Sequence, residues 1–336
     1  MILITGGAGH LGNVLVRALL EKGEKVRVMV LPGEDLTSLE GLDCEIVEGN
    51  ILYPDQLRRA MQGVDLVYHL AALVAITADK YDLMYRVNVE GTRNVIDACR
   101  EMGVRRLVYT SSIHALEKPD KDATVDETLA FDQDNPTGLY DRTKAIASAL
   151  VMDAAKEGLD AVVVLPTGVI GPYDYRRSEM GEMFLEWMQP TPSISTDGGY
   201  DFVDVRDVAE GHILAAERGR SGEAYLLSGT QVTVSGYRKL VQMAAGVRSP
   251  EIKLPGWFVI LIAPLAELYY RLARLRPRVT KYAIETLQCN SRISSKKAQT
   301  ELGYRHRPIS ETVADTARWW RENLKRIKPS LRTSST

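Results

Sequence analysis

The sequence predicts an α/β fold in which a doubly wound parallel sheet carries a smaller, mostly helical second lobe. Three observations predict it. Short apolar runs alternate with stretches of helical period through the first half of the chain. Those runs lack the in-out alternation of a half-exposed sheet, so both of their faces must be buried, which requires helices on both sides. The 336 residues also exceed what one core comfortably organises, so a large domain with an appended smaller one is expected.

Taken in order, strand Met1–Thr5 runs through a glycine-rich turn into helix Leu11–Lys22. Strands Lys25–Val30 and Cys44–Val47, helix Pro54–Met61, strand Asp65–Leu70 and helix Tyr81–Met102 follow. Strand Arg106–Thr110, helix Gly138–Lys156 and strand Ala161–Leu165 complete the alternation. After Pro166 the pattern weakens, and Gly, Pro and aromatic residues collect in Gly168–Tyr175 and Pro190–Tyr200. Residues 1–165 are expected to form the first domain, with 201–228 returning to its sheet through strands at Asp201–Val205 and Ala224–Leu227. Residues 166–200 and 229–325 form the second lobe, and a Ser/Thr/Lys/Arg tail at 326–336 is expected to fray.

Composition narrows the function classes. With 42 Lys+Arg against 44 Asp+Glu, the chain has no overall field to attract nucleic acid or an anionic membrane. Cys44, Cys99 and Cys289 are far apart and form no CxxC pair, which argues against zinc and against a secreted disulfide framework. No basic-then-apolar leader is visible, and a reducing cytoplasm is expected. The apolar core Trp257–Ala266 is about half the ~20 residues needed to cross a bilayer, and it contains Pro264. Residues 257–275 are expected to cover a substrate pocket, the alternative being peripheral contact with a membrane surface.

The turn reads Thr5-Gly6-Gly7-Ala8-Gly9-His10-Leu11-Gly12. Its glycines permit unusual backbone angles and let a pyrophosphate approach the amides and positive dipole of the following helix. Placed strand-turn-helix at the start of a βαβ pattern, it predicts dinucleotide binding. Tyr140 and Lys144 stand four residues apart in a helical stretch and so share one face. An ammonium there lowers a phenol pKa from ~10 toward the working pH, making Tyr140 a general acid or base. Ser112 ends a central strand, where open α/β sheets place their ligands. His114 is expected to shape the pocket or hydrogen-bond within it, and the five histidines show no HExxH spacing, so no metal is expected.

The TGxxGxxG spacing is followed by Tyr68-His69-Leu70-Ala71-Ala72, Asn88-Val89-Glu90-Gly91-Thr92, Tyr109-Thr110-Ser111-Ser112 and Tyr140-Asp141-Arg142-Thr143-Lys144. In that order, over nearly the whole chain, these motifs resemble the extended short-chain dehydrogenase/reductases of the NAD-dependent epimerase/dehydratase superfamily. The resemblance implies a Rossmann fold in which Tyr140 exchanges a proton with the substrate, Lys144 also binds the nicotinamide ribose, and Ser112 rather than Ser111 orients the substrate. It implies cofactor contacts from Gly6, Gly9, His10, Leu11, Gly12, Leu31, Asn50, Ile51, Leu70, Ala71, Ala72, Asn88, Tyr140, Lys144, Pro166, Gly168 and Val169. It also implies a homodimer that pairs the helices Tyr81–Met102 and Gly138–Lys156.

Cofactor choice is read just after the second strand. Leu31 stands where related reductases commonly carry an Arg for the 2′-phosphate, Glu34 and Asp35 follow, and nothing basic comes until well beyond Asp35. NAD is therefore expected ahead of NADP. Asn50 stands where the family usually has Asp and can accept from the adenine amino group through its amide oxygen. Tyr200 replaces the Arg that commonly clamps a diphosphate in sugar-nucleotide members, and Pro166–Pro172 lacks an Asn often found in them. Asp201–Ala209 and Gly222–Ser228 look instead like dihydroflavonol-reductase, cinnamoyl-CoA-reductase and 3β-hydroxysteroid-dehydrogenase relatives.

The expected function is thus hydride transfer between a nicotinamide and a carbonyl or secondary alcohol of a bulky, mostly apolar molecule. A nucleotide-sugar epimerase/dehydratase is the alternative, and a non-catalytic NAD(P)-sensing regulator a further one. Tyr173, Tyr175, Phe184 and Trp187 could wall an apolar pocket or merely pack the second lobe. Arg176 and Arg177 could meet an anionic substrate tail, the plainer expectation being a solvated pair.

Overall fold

The computed structural model describes residues 1–74, 81–119, 123–135, 138–196, 198–255, 258 and 292–327. The 257–275 segment (Phe258 excepted), Cys289 and residues 328–336 of the tail lie outside the described residues.

The described strands are β1 (Ile2–Thr5), β2 (Val26–Val30), β3 (Glu45–Glu48), β4 (Leu66–His69), β5 (Arg106–Thr110), β6 (Thr124–Val125) and β7 (Ala161–Pro166). They continue with β8 (Gly168–Ile170), β9 (Ser193–Thr196), β10 (Gly199–Asp204), β11 (Ala224–Leu227), β12 (Thr230–Thr233), β13 (Glu251–Leu254) and β14 (Arg292–Ile293). Seven of them form one parallel sheet in the order β11-β7-β5-β4-β1-β2-β3. The order reverses between β1 and β4, and that switch point opens a crevice at the carboxyl ends of the strands.

Both faces are covered, as unbroken apolar strands require. On one face Ile2, Ile4, Val28, Val108 and Val164 pack against helices α1 (His10–Glu21) and, from far downstream, Val205–Arg218. On the other, Leu3, Val67, Leu107 and Val163 pack against α2 (Pro54–Ala60), Gly91–Glu101 and Leu139–Lys156.

The expected helix Tyr81–Met102 is interrupted. It runs as α3 (Tyr81–Tyr85), a π-helical turn at Arg86–Glu90 and α4 (Gly91–Glu101). The wider turn carries Asn88 and ends at Gly91, where a Cβ would lie 2.6 Å from Ile51 Cδ1. Such turns re-aim side chains at functional sites. The helix expected at Gly138–Lys156 forms as α5 (Leu139–Lys156).

The strand expected at Asp201–Val205 forms as β10, but it does not return to the large sheet. It pairs parallel with β8 and antiparallel with β12 in a separate three-stranded sheet. The buried Asp201 carboxylate explains the arrangement, because it accepts from Thr167 Oγ1 at 2.6 Å and from the Gly229 amide at 2.7 Å, tying three segments together. The expected strand at Ala224–Leu227 does join the large sheet, as its edge strand β11 beside β7.

Helices α6 (Glu179–Trp187), α7 (Val205–Arg218), α8 (Val234–Ala245) and α9 (Ile309–Asn323) complete the described chain. A third core gathers Phe184 and Trp187 of α6, Phe202, Tyr237 and Val241, and Val313, Ala317 and Trp320 of α9. Phe184 and Trp187 are thus spent on packing, and Tyr175 meets Trp319 edge-on at 5.2 Å. Among the described residues no helix is long and apolar enough to cross a membrane.

Candidate active site

The glycine turn packs as closely as its composition allows. Gly6 has φ +74°, and a Cβ there would lie 2.7 Å from the Ala71 amide nitrogen. A Cβ on Gly12 would strike the Gly6 carbonyl oxygen, so the first turn of α1 can sit directly on the loop. No side chain caps Gly9 and no carboxylate stands in the first turn of α1. The helix amides and dipole are therefore left to an external anion, and the turn fits a dinucleotide pyrophosphate. The His10 side chain ties the turn to a later segment, with Nε2 donating to the Pro172 carbonyl at 2.9 Å.

Behind the turn a buried chain of hydrogen bonds fixes the strand ends. Thr92 Oγ1 donates to the Asn88 carbonyl at 2.6 Å and accepts from His69 Nε2 at 3.0 Å, so His69 Nδ1 accepts from Thr5 Oγ1 at 2.7 Å. Burial pushes the His69 imidazole down to about 3, keeping it neutral in this role. Asn88 accepts from the Leu73 amide at 2.8 Å and donates to the Leu73 carbonyl and to Thr143 Oγ1, each at 3.0 Å. Both amide hydrogens are thereby used, and Asn88 clamps the segment after Leu70-Ala71-Ala72 to α5.

Lys144 projects from α5 to the end of β5. Its ammonium donates to the Thr110 carbonyl at 2.5 Å and to the Tyr109 hydroxyl at 3.3 Å, and stands 4.8 Å from the centre of the Tyr109 ring. Burial pushes it down to about 7. Tyr140 precedes it by one helical turn, and burial, then the Asp141 carboxylate, hold its phenol above the ordinary tyrosine value. Where a lowering by Lys144 was expected, burial and Asp141 raise the Tyr140 phenol instead, and the Lys144 ammonium is turned to Thr110 and Tyr109.

The two serines differ. Ser111 Oγ is buried against Ser148 Oγ of α5 at 2.6 Å, whereas Ser112 Oγ accepts from the His114 amide at 3.2 Å. The half-buried His114 ring stacks on Tyr200, with Nε2 2.6 Å from the Tyr200 hydroxyl. Tyr200 also lies over Gly168, where a Cβ would come 2.7 Å from its ring.

At the adenosine end, Leu31 is half exposed and its amide donates to Glu34 Oε2 at 2.7 Å. Asp35 is drawn into a local turn, accepting from the Thr37 amide and hydroxyl. Asn50 Oδ1 accepts from the Leu52 amide at 2.9 Å, leaving its second lone pair for an adenine amino group. Arg177 pairs with Glu182 within its own lobe. Arg176 keeps its side chain 46% exposed, in line with the solvated residue expected, but its partners were not visible in the sequence. It pairs with Glu34 and donates to the Ala8 carbonyl at 3.1 Å.

A recess beside His10 is lined by Val169, Asp174, Phe184, Tyr237 and Trp320, and does not border Ser112, Tyr140 or Lys144. Among the described residues no group of three His, Cys, Asp or Glu side chains could hold a metal ion.

Comparison with known proteins agrees with this geometry. Residues 2–228 match the model of the NAD dependent epimerase/dehydratase family. The chain is 34% identical over 322 residues to sterol demethylase protein B of Methylococcus capsulatus, covering 95% of this chain and 98% of that protein. It is 30% identical over 324 residues to a putative dihydroflavonol 4-reductase of Synechocystis, covering 95% and 94%. The crystal structure of gox2253 superposes with a TM-score of 0.80 at 32% identity, covering 98% of this chain and 99% of that one. The chain therefore belongs to the NAD dependent epimerase/dehydratase family and is an NAD(P)-dependent dehydrogenase/reductase of the extended short-chain type.

Proposed function

We propose that this protein reduces the carbonyl of a bulky, mostly apolar small molecule, or oxidises the matching secondary alcohol. The observation that carries the reading is the reach of Lys144 from α5 to Thr110 and Tyr109, two residues from Ser112 and one helical turn from Tyr140. Tyr140 is the proton-transferring group, Ser112 holds the reacting oxygen, and Lys144 organises the strand end and meets the nicotinamide ribose. A bound nicotinamide dinucleotide supplies or takes up the hydride. Tyr140 donates its phenol proton to the carbonyl oxygen in reduction and accepts the alcohol proton in oxidation.

The glycine turn with Asn50, Ile51 and Leu31 holds the adenosine and pyrophosphate. Leu70–Ala72, Asn88, Pro166, Gly168 and Val169 complete the nicotinamide side, Asn88 acting by fixing its neighbours. The names of the two relatives support a polycyclic or aromatic substrate. Tyr200, bonded to His114, puts a phenol where sugar-nucleotide members carry a diphosphate-clamping cation, which counts against epimerase chemistry. Residues 1–165 with 205–227 serve as the dinucleotide domain and the remainder shapes the substrate site. A cytoplasmic homodimer, paired through α3–α4 and α5, accords with Leu83 of α3 standing half exposed, and equilibrium sedimentation tests it.

A screen of NAD(P)H oxidation with hydroxysteroid-derived ketones, dihydroflavonols, aryl aldehydes and sugar nucleotides tests the substrate class. Turnover of a sugar nucleotide without net cofactor change would select the epimerase reading. Tyr140→Phe is expected to cut turnover by about 10²–10⁴-fold while dinucleotide binding persists. Unchanged turnover would remove Tyr140 from the mechanism.

A further inference from the structure

Arg176 and Glu34 are 142 residues apart in sequence and meet at the adenosine end of the cleft. The guanidinium pairs with one Glu34 oxygen through Nη2 and donates from Nε to the Ala8 carbonyl of the glycine turn at 3.1 Å. The other Glu34 oxygen accepts from the Leu31 amide at 2.7 Å. A single carboxylate thus joins the end of β2 to a cation seated on the glycine turn.

The segment that delivers Arg176 is built onto that turn. His10 holds the Pro172 carbonyl, Asn13 Nδ2 donates to the Tyr173 carbonyl at 3.1 Å, and the Arg17 guanidinium lies 4.9 Å from the centre of the Tyr173 ring. Tyr173 and Arg177 adopt left-handed backbone angles, φ 69° and 51°. Side-chain-bearing residues rarely do so, and the conformation costs of order 1 kcal/mol or more each. That strain flanks Arg176.

In open α/β dinucleotide folds a carboxylate beyond the second strand receives the adenosine 2′-hydroxyl, and a nearby arginine accommodates a 2′-phosphate. Here one residue of each kind stands side by side, and they are bonded to each other. We propose that Arg176 and Glu34 together read the adenosine 2′ position and set the preference between NAD and NADP. Glu34 accepts the 2′-hydroxyl of NAD. A 2′-phosphate must instead displace the Glu34 carboxylate from Arg176 and take the guanidinium for itself. Glu34 both occupies the arginine and repels the phosphate, so the pair favours NAD while leaving NADP a binding partner. The inference rests on the NAD(P)-dependent reading above.

Fluorescence titration of the full chain with NADH and with NADPH at constant ionic strength tests it, with wild type, Glu34→Gln, Arg176→Met and the double variant side by side. Glu34→Gln is expected to raise the NADPH-to-NADH affinity ratio at least tenfold. Arg176→Met is expected to lower that ratio at least fivefold while NADH affinity changes less than threefold. In the double variant the gain from Glu34→Gln disappears, because no guanidinium is left to claim the phosphate. A ratio within twofold of wild type in either single variant overturns the inference, and NADH binding by wild type in the same titration shows that the dinucleotide reading survives. Failure of wild type to bind either dinucleotide overturns both.

Discussion

The Lys144 ammonium donates to the Thr110 carbonyl at 2.5 Å, fastening α5 to the carboxyl end of β5 from a buried position. Its folded pKa lies at about 7 against an ordinary 10.5. The unfolded chain therefore holds this proton over a pH range in which the folded chain releases it, and stability attributable to the group rises between pH 7 and 10.5. Urea denaturation at pH 7 and pH 9 is expected to show wild type gaining on Lys144→Met by on the order of 1 kcal/mol per pH unit. A stability gap independent of pH over that interval would mean that Lys144 titrates normally.

His69 and His212 act at the opposite end of the pH scale. Burial pushes them down to about 3 and about 4. His212 Nδ1 donates to the Val208 carbonyl at 2.7 Å, and Nε2 accepts from Thr110 Oγ1 at 2.8 Å. The unfolded chain binds a proton at each near 6.5, while the folded chain stays neutral. Stability is thus lost as pH falls from about 6.5 toward 4, by on the order of 1 kcal/mol per pH unit for each histidine. Unfolding free energies measured at pH 7, 6, 5 and 4 should fall less steeply in His212→Gln than in wild type.

Gly6→Ala adds a methyl group beside the Ala71 amide at a backbone angle that disfavours it. The expected cost is about 2 kcal/mol of stability, with a weakened dinucleotide affinity, read by thermal unfolding and by NADH titration.

Tyr237 lies in the third core, and among the described residues its hydroxyl has no protein hydrogen-bond partner. Tyr237→Phe is expected to leave stability unchanged or to raise it by up to about 1 kcal/mol. Tyr237→Ala, which removes the ring packed against Phe202 and Trp187, should cost about 3–5 kcal/mol. A loss from Tyr237→Phe as large as that from the alanine change would show that the hydroxyl is engaged.

The large sheet was legible in sequence because its strands are buried on both faces and carry their signal in consecutive apolar residues. β10 was legible as a strand yet not in its pairing, since its neighbours depend on Asp201 meeting Thr167 and Gly229. The spacing of Tyr140 and Lys144 correctly placed both on one helix. The destination of the ammonium was hidden, because the Thr110 carbonyl and the Tyr109 ring reach it from another element. Arg176 was read only as a solvated or substrate-facing residue, and its partner Glu34 was hidden for the same reason in a stronger form. Cofactor selectivity was sought in the residues after β2, while the cation arrives there from beyond β8. Local spacing reports what a segment presents, and only tertiary folding decides what it meets.

Helix α7 packs against the large sheet and against α1, from which more than a hundred residues of chain separate it. During synthesis the sheet's first five strands therefore leave the ribosome with part of one apolar face uncovered until residue 216 has followed. A fragment ending at 165 would expose Tyr68, Val108 and Val162 to water and would lack the edge strand β11. The half of the chain that carries the glycine turn is accordingly not an autonomous folding unit. It needs its C-terminal neighbour for solubility before it needs it for chemistry.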